Sequence, residues 1–475
     1  MDEIFGWKTY LLVPYYLFVS FLIILIILEH KKPGKAFAYI FLMLLFPILG
    51  VILYFLFGFH YQRKVLFTRF RNRRNNFISK LNEKKGKRNK SEQQNVKKLS
   101  NLFYNIDRVQ FTAKNQVRIL KNGEDKFPVL LEQLEQAKKF IYILYYIIED
   151  DTIGNKIFDV LKKKAGEGLV VNVLYDDVGS SIKKKSIAEM ERAGIHIHAY
   201  MPVFFSRFAY KANYRNHRKI VVIDGEVGFV GGINIADRYI NPNKVDLYWR
   251  DTHLMIRGEA VTDLQFLFIN DWFYATGNKT EPILDLNFDQ ISEETNTAIL
   301  GSDFGATYQS IMEAYFGIIS NAKEEILLTT PYFLPTEIIL DALKIAAKSG
   351  IRIKLLIPRK PDMRTAFYAS QSYLKEILQS GVEVFCYTKG MMHAKTMVVD
   401  NLYSTVGSTN LDQRSFRLNS EVNAFFIDEN MAENLKRQFE EDLQDSYPLL
   451  LNSLKNRPWY KKALSSLARL FAPIL

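Results

Sequence analysis

Two kinds of apolar patterning divide the chain. From Thr9 to Leu28, and again from Ala36 to Phe59, no residue is charged. Runs of 20 and 24 residues are each long enough to cross a hydrocarbon core of ~30 Å at ~1.5 Å per helical residue. Pro33 and Gly34 punctuate the short connector between them, so the pattern predicts a two-helix transmembrane hairpin. A cleaved leader fits less well, because Asp2 and Glu3 stand where a basic start is expected and a second run follows at once. Beyond about residue 110 short apolar strands alternate with amphipathic helices. FIYILYYI (from Phe140), NKIFDVLKKKAGEG (from Asn155) and LVVNVLYDD (from Leu169) have counterparts in EILLTTPYFLP (from Glu325), EIILDALKIAAKSG (from Glu337) and IRIKLLIPR (from Ile351). Both helices run into a glycine, Gly168 or Gly350, a common helix stop. Strand–helix alternation predicts an α/β layer fold, here written twice.

The repeat carries chemistry. His217, Lys219 and Asp224 stand in HRKIVVID, and His393, Lys395 and Asp400 in HAKTMVVD, each displaced by 176 residues. Gly231, Asn234 and Arg238 recur at the same displacement as Gly407, Asn410 and Arg414. The apolar residues between lysine and aspartate read as a buried strand. On a strand, residues two apart share a face, so each histidine is expected to share a face with its lysine. If the halves meet about a pseudo-twofold axis, one cleft holds two imidazoles, two ammonium groups and the amides of Asn234 and Asn410. That set suits a phosphodiester. The cations and amides stabilise charge on the non-bridging oxygens, one neutral imidazole attacks phosphorus, and the other, protonated, supplies the leaving alkoxide with its proton. Each imidazole needs a carboxylate to fix its tautomer; Asp251 and Glu421 are the candidates. The lysines fill the place of a metal, and no cofactor is expected. The residues alone leave open which histidine attacks.

Other polar residues are given plainer roles. His196 and His198 alternate in a short strand and read as structural, and His253 as a supporting group. The clusters Glu149-Asp150-Asp151 and Asp176-Asp177 are read as strand ends and helix caps before metal ligands. The single cysteine, Cys386, excludes an intrachain disulfide and a clustered-cysteine metal site; it reads as a small buried hydrophobe. The net charge of +12 is localised: Arg63 to Lys98 holds 14 Lys/Arg against 2 Glu. Nucleic acid is one partner for such a run. Its place directly after an apolar run favours an anionic membrane surface and a cytoplasmic catalytic region, with Lys31, Lys32 and Lys35 pulling the other way. At the far end Trp459, Leu464, Leu467 and Phe471 recur at helical spacings, the pattern of an interfacial helix or of one packed on the core.

NYRNHRKIVVIDG, FVGGINIADRY, YWRDTHLMIRG, TPYFLP, MMHAKTMVVD, GSTNLDQRSFRLNSEVN and LARLFAPIL resemble the bacterial cardiolipin synthases of the phospholipase D superfamily. The resemblance covers nearly the whole chain and is weakest around residues 72–100. It implies duplicated phospholipase D-like halves, each a mixed sheet flanked by helices. The expected organisation is a hairpin over residues 1–60, a polybasic linker over 61–110, a first half over 111–285 and a second half with an amphipathic helix over 286–475. It also implies an enzyme of the plasma membrane, a phosphatidyltransferase. Two phosphatidylglycerols give cardiolipin and glycerol. His217 would be the nucleophile and His393 the acid and then the base. Lys219, Lys395, Asn234 and Asn410 would hold the phosphate, with Asp224 and Asp400, counted with the motif, as architectural members. A phospholipase that delivers the same intermediate to water shares every one of these residues. A nuclease would suit the basic run but not the two apolar runs, and no nucleic-acid partner is expected.

Overall fold

The computed structural model describes residues 2–28, 33–55, 94–201, 215–241, 248–278, 288, 290–303, 309–360 and 362–473. The basic run before Gln94 and the connector at 29–32 lie outside the described residues. The chain divides into two units, each taken by itself.

In the first unit, α1 (Asp2–Leu28) packs on α2 (Pro33–Leu45), and α3 (Pro47–Leu53) follows. The second apolar run is thus two helices where the sequence predicts one. Proline has no N–H and pushes the residue before it out of the helical region, and Phe46 sits at φ −131°, ψ 73°. Val19, Leu22, Ile26, Met43 and Tyr54 form the inner contact, while Leu17, Phe21, Phe37, Phe41 and Ile48 face outward, each more than half exposed. Among the described residues no helix is long and apolar enough to cross a membrane, so a spanning assignment has to rest on other grounds.

The second unit contains two sheets of one topology. The first is built from β1 (Asn115–Lys121), β2 (Phe140–Tyr145), β3 (Val170–Asp176), β4 (His196–Tyr200), β5 (Ile220–Ile223), β6 (Val227–Gly231) and β7 (Thr252–Gly258), in the order β1-β7-β6-β5-β2-β3-β4. The second is built from β8 (Thr297–Ser302), β9 (Glu325–Thr329), β10 (Arg352–Pro358), β11 (Glu383–Tyr387), β12 (Thr396–Val399), β13 (Tyr403–Gly407), β14 (Asn419–Ile427) and β15 (Ser446–Pro448). Its order, β8-β14-β13-β12-β9-β10-β11-β15, repeats the first with one strand added. Strands β2, β3 and β4 run parallel and the rest of that sheet antiparallel, so each sheet is mixed.

Local sequence accounts for the framework. The central strand β5 reads IVVI and is buried at every residue, as expected where both faces are covered. Asp151 caps the helix Thr152–Gly166 by accepting from the Gly154 N–H at 2.9 Å. Gly168 and Gly350 take the left-handed conformation just past their helices, at φ 91° and 93°. One core draws on both halves: Val230, Leu254 and Ile256 from the first, Val406, Ala424 and Phe426 from the second. It fixes the two sheets against each other across the seam where the site forms.

Candidate active site

Two short strand pairs stitch the seam. Arg215–Asn216 runs parallel to Asn419–Ser420, and Gly390–Met392 runs parallel to Tyr248–Arg250. The residue after each strand is a functional one: His217 opposite Glu421, and His393 opposite Asp251. The His217 N–H donates to the Ser420 carbonyl at 2.8 Å and the His393 N–H to the Arg250 carbonyl at 2.7 Å. The sequence argument put each His-x-Lys on a regular strand. The structure corrects this: His217–Lys219 and His393–Ala394–Lys395 are links in which the chain leaves the other half's strand and joins its own sheet at β5 or β12.

The pairing is therefore crossed. His217 Nδ1 lies 2.9 Å from Glu421 Oε2, and His393 Nδ1 lies 2.6 Å from Asp251 Oδ2. A carboxylate on Nδ1 keeps the proton there and turns the Nε2 lone pair outward. Glu421 is itself fixed by the Ser408 hydroxyl at 2.5 Å and the Asn419 amide at 3.1 Å. Asp251 accepts from the Thr252 N–H at 2.7 Å. Gly232, the counterpart of Ser408, has no side chain because the Asp251 carboxylate fills that space.

Both lysines turn back onto their histidines. Lys219 Nζ donates to the His217 carbonyl at 2.8 Å; Lys395 Nζ donates to the His393 carbonyl and lies 3.0 Å from its Nδ1. Burial drives Lys219 down to about 7 and Lys395 down to about 8, against the opposing pull of the carboxylates. Burial also holds His217 down at about 4, with Glu421 opposing and Lys219 and Lys395 adding to the fall. His393 is lowered by burial and Lys395, against Asp251. Burial pulls Asp251 up, but Lys395 and His393 pull it further down, so it rests as an anion. Each lysine acts on the other half's histidine, so the two motifs share one field.

Asn234 and Asn410 are both buried. The Asn234 amide donates to the Tyr239 hydroxyl at 2.6 Å, and its oxygen accepts from the Ile147 N–H at 3.2 Å; one amide hydrogen remains. Asn410 Oδ1 has no partner among the described residues. Asp224 and Asp400 stand apart. Asp224 accepts from the N–H groups of Lys138, Lys139 and Phe140 at 2.7–2.9 Å, and Asp400 from those of Lys323, Glu324 and Glu325 at 2.7–3.0 Å. Each is occupied as a clasp on the chain entering β2 or β9.

The remaining sequence candidates fall into framework positions. His196 faces Asn172 at 3.0 Å and His198 lies edge-on to Trp272. His253 is buried beside the Ile233 N–H. Asp150 holds the Lys183 N–H and the Ser186 hydroxyl, Glu149 pairs with Arg238, and Asp176 braces the seam strand through the Asn216 N–H at 3.1 Å and Arg215 at 3.6 Å.

Sequence reasoning missed two buried arginines. Arg218 Nε donates to the Glu421 carbonyl at 3.1 Å while its guanidinium pairs with Asp271 and Asp303. Arg250 Nη1 donates to the Asp251 carbonyl at 2.6 Å and its Nε pairs with Asp442 at 2.8 Å. Each guanidinium thus holds the backbone of an orienting carboxylate; the signal was a charged residue directly beside a motif residue, in HRK and in WRD. Aromatic walls were missed too: Tyr146 lies edge-on to His217 at 4.8 Å and Trp249 to His393 at 5.3 Å.

Two like halves that pool their histidines and lysines at one seam define a phosphoryl-transferring enzyme of the phospholipase D type. A family model described as the phospholipase D-like domain of cardiolipin synthase matches residues 130–272 and 315–443, and a phospholipase D-nuclease N-terminal model matches residues 17–58. Cardiolipin synthase 2 of Bacillus anthracis is 39% identical over 471 residues, 95% of this chain and 88% of its own. The cardiolipin synthase of Halalkalibacterium halodurans is 37% identical over 469 residues, 96% of this chain and 92% of its own. The phosphatidylserine synthase structure from Haemophilus influenzae Rd KW20 superposes with a TM-score of 0.62 over 80% of this chain and 100% of that one; at 16% identity it speaks for the fold alone. The chain belongs to the cardiolipin synthase family, and it is a phosphatidyltransferase.

Proposed function

We propose that the site moves a phosphatidyl group from one phosphatidylglycerol to another, giving cardiolipin and glycerol. The crossed pairing of His217 with Glu421 and of His393 with Asp251 carries this reading, because it leaves two Nε2 atoms free for opposite tasks. His217, neutral at neutral pH, forms the N–P bond as the P–O bond to glycerol breaks. His393 gives that alkoxide its proton. Both imidazoles are lowered in the free site, so His393 gains its proton when an anionic diester enters, since a nearby negative charge favours the imidazolium. Asp251 stabilises that cation at 2.6 Å. In the second step the hydroxyl of another phosphatidylglycerol gives its proton to His393, its oxygen bonds to phosphorus, and the N–P bond breaks. Lys219, Lys395, Asn234 and Asn410 hold the non-bridging oxygens. One phosphodiester replaces another, so no nucleotide is consumed.

The same proposal places the enzyme at the plasma membrane, with no nucleic-acid partner. The uncharged runs Thr9–Leu28 and Ala36–Phe59 and the outward apolar side chains of α1–α3 support a two-pass anchor, since water-facing helices are polar on their outer side. The basic run after residue 62 supports contact with anionic lipid and a cytoplasmic catalytic region. The helix Trp459–Arg469 combines the two expected modes. Arg469 pairs with Glu376 and lies over the Tyr373 ring, while Trp459 is 79% and Leu470 73% exposed, a face suited to the interface.

Product analysis tests the reaction. Purified enzyme with phosphatidylglycerol vesicles in chelator is expected to give cardiolipin and equal free glycerol. Phosphatidic acid alone would make water the acceptor and sink the synthase reading.

A further inference from the structure

A cleft of about 280 Å³ opens in the second half, near the lower size limit of small-molecule sites (~300 Å³). Its floor is apolar, with Phe333, Ile357 and Leu374, and its cations are Arg359, Lys360 and Arg457. Among the described residues no carboxylate lines it. Gln371, 8% exposed, also lines it, and its Oε1 has no partner among the described residues.

Short links connect the cleft to the histidine site and to the exposed apolar helix. Its wall Pro331–Phe333 leads into a pair between Phe333–Leu334 and Leu411–Asp412, the residues directly after Asn410. Arg457 stands two residues before Trp459, where the exposed apolar helix begins. An apolar floor, a cationic mouth and an adjoining interfacial helix match the headgroup of an anionic phospholipid: phosphate on the guanidinium groups and hydroxyl on the orphan amide oxygen of Gln371.

We infer that this cleft is a second headgroup subsite, binding an anionic phosphodiester lipid next to the histidines. The inference rests on the transfer reaction proposed above. Two lipids present that headgroup: the acceptor phosphatidylglycerol, whose retention there would favour it over water, and the product cardiolipin, which would compete with it.

The test is the double variant R359Q/R457Q in the full-length enzyme. Its first half-reaction is read as the p-nitrophenolate burst from the p-nitrophenyl ester of phosphatidic acid and is expected to match wild type. With phosphatidylglycerol vesicles the cardiolipin-to-phosphatidic acid ratio should fall about tenfold, which identifies the acceptor as occupant. An unchanged ratio with at least tenfold weaker inhibition by added cardiolipin identifies the product instead. If neither changes, the subsite is refuted. Arg359 is exposed, so R359Q alone, expected to give about a threefold shift, serves if the double variant does not fold. Wild type that makes only phosphatidic acid would overturn the reaction, and the cardiolipin-inhibition arm would still decide the cleft.

Discussion

The two histidines make separable demands on the leaving group. Glycerol leaves as a strongly basic alkoxide and needs the His393 proton; p-nitrophenolate leaves without one. Removal of a general acid costs about 10²–10⁴ in rate, or about 3–5 kcal/mol at ~1.4 kcal/mol per tenfold. The geometry ties that loss to one residue and its partner, because among the described residues the one carboxylate His393 contacts is Asp251, at 2.6 Å. His393→Ala and Asp251→Asn should therefore lose about 10²-fold or more in phosphatidylglycerol turnover, yet keep the p-nitrophenolate burst from the aryl ester within about tenfold of wild type. His217→Ala should lose both, since no nucleophile remains. Glu421→Gln should lose much of both, because Glu421 orients His217 at 2.9 Å. The assay is stopped-flow absorbance over the first turnover, with lipid products separated in parallel. A burst that survives in His217→Ala and vanishes in His393→Ala would reverse the two roles. Full phosphatidylglycerol turnover in either variant would sink the two-histidine mechanism.

Further outcomes follow from the buried charges. Lys219 sits at about 7 in the folded protein against ~10.4 in the unfolded chain, so the unfolded chain binds more protons between those values. Stability should rise with pH across that window; Lys219→Met should flatten the rise, melt higher at pH 7 and abolish turnover, as read by calorimetry and product analysis. With His217 held at about 4, the acid limb of kcat/KM for the aryl ester should lie well below the ordinary imidazole range, near pH 4; a limb near 6.5 would show that burial does not govern it. Asp224→Ala and Asp400→Ala each strand three backbone N–H groups, and a hydrogen bond to a charged group contributes ~1.5–3 kcal/mol. Each should lose at least ~2 kcal/mol of stability while activity per folded molecule stays within about threefold; abolished activity in fully folded protein would return these aspartates to the reaction.

The legible part of this protein is what repeats. Apolar strands, glycine-stopped helices and the paired His-Lys motifs recur at matched spacing, so the two-sheet architecture is legible in the chain itself. The two carboxylates could be named because histidines in such sites need orienters. Which carboxylate serves which histidine could not, because that is decided by the register of seam strands only two or three residues long, and strands that short leave no periodicity. Arg218 and Arg250 were hidden for a related reason. A buried arginine is tolerated only with partners such as Asp271, Asp303 and Asp442, which lie far along the chain. The break at Phe46–Pro47 was available in the sequence, since proline in a helix interior removes an N–H, but it was outweighed there by the length of the uncharged run.

The crossed seam also bears on how such a chain can be divided. Neither half alone owns a working imidazole: severed from its sibling, each would present a histidine with no carboxylate on Nδ1 and a carboxylate with no imidazole to orient. Yet the exchange is reciprocal, so two copies of one half, docked about a true twofold axis, would supply each other in the same manner. Covalent linkage is therefore a convenience of assembly, not a requirement of the chemistry. What it permits is asymmetry: in one chain, one side can carry aspartate beside a glycine and the other glutamate beside a serine, and the two imidazoles are free to take different tasks.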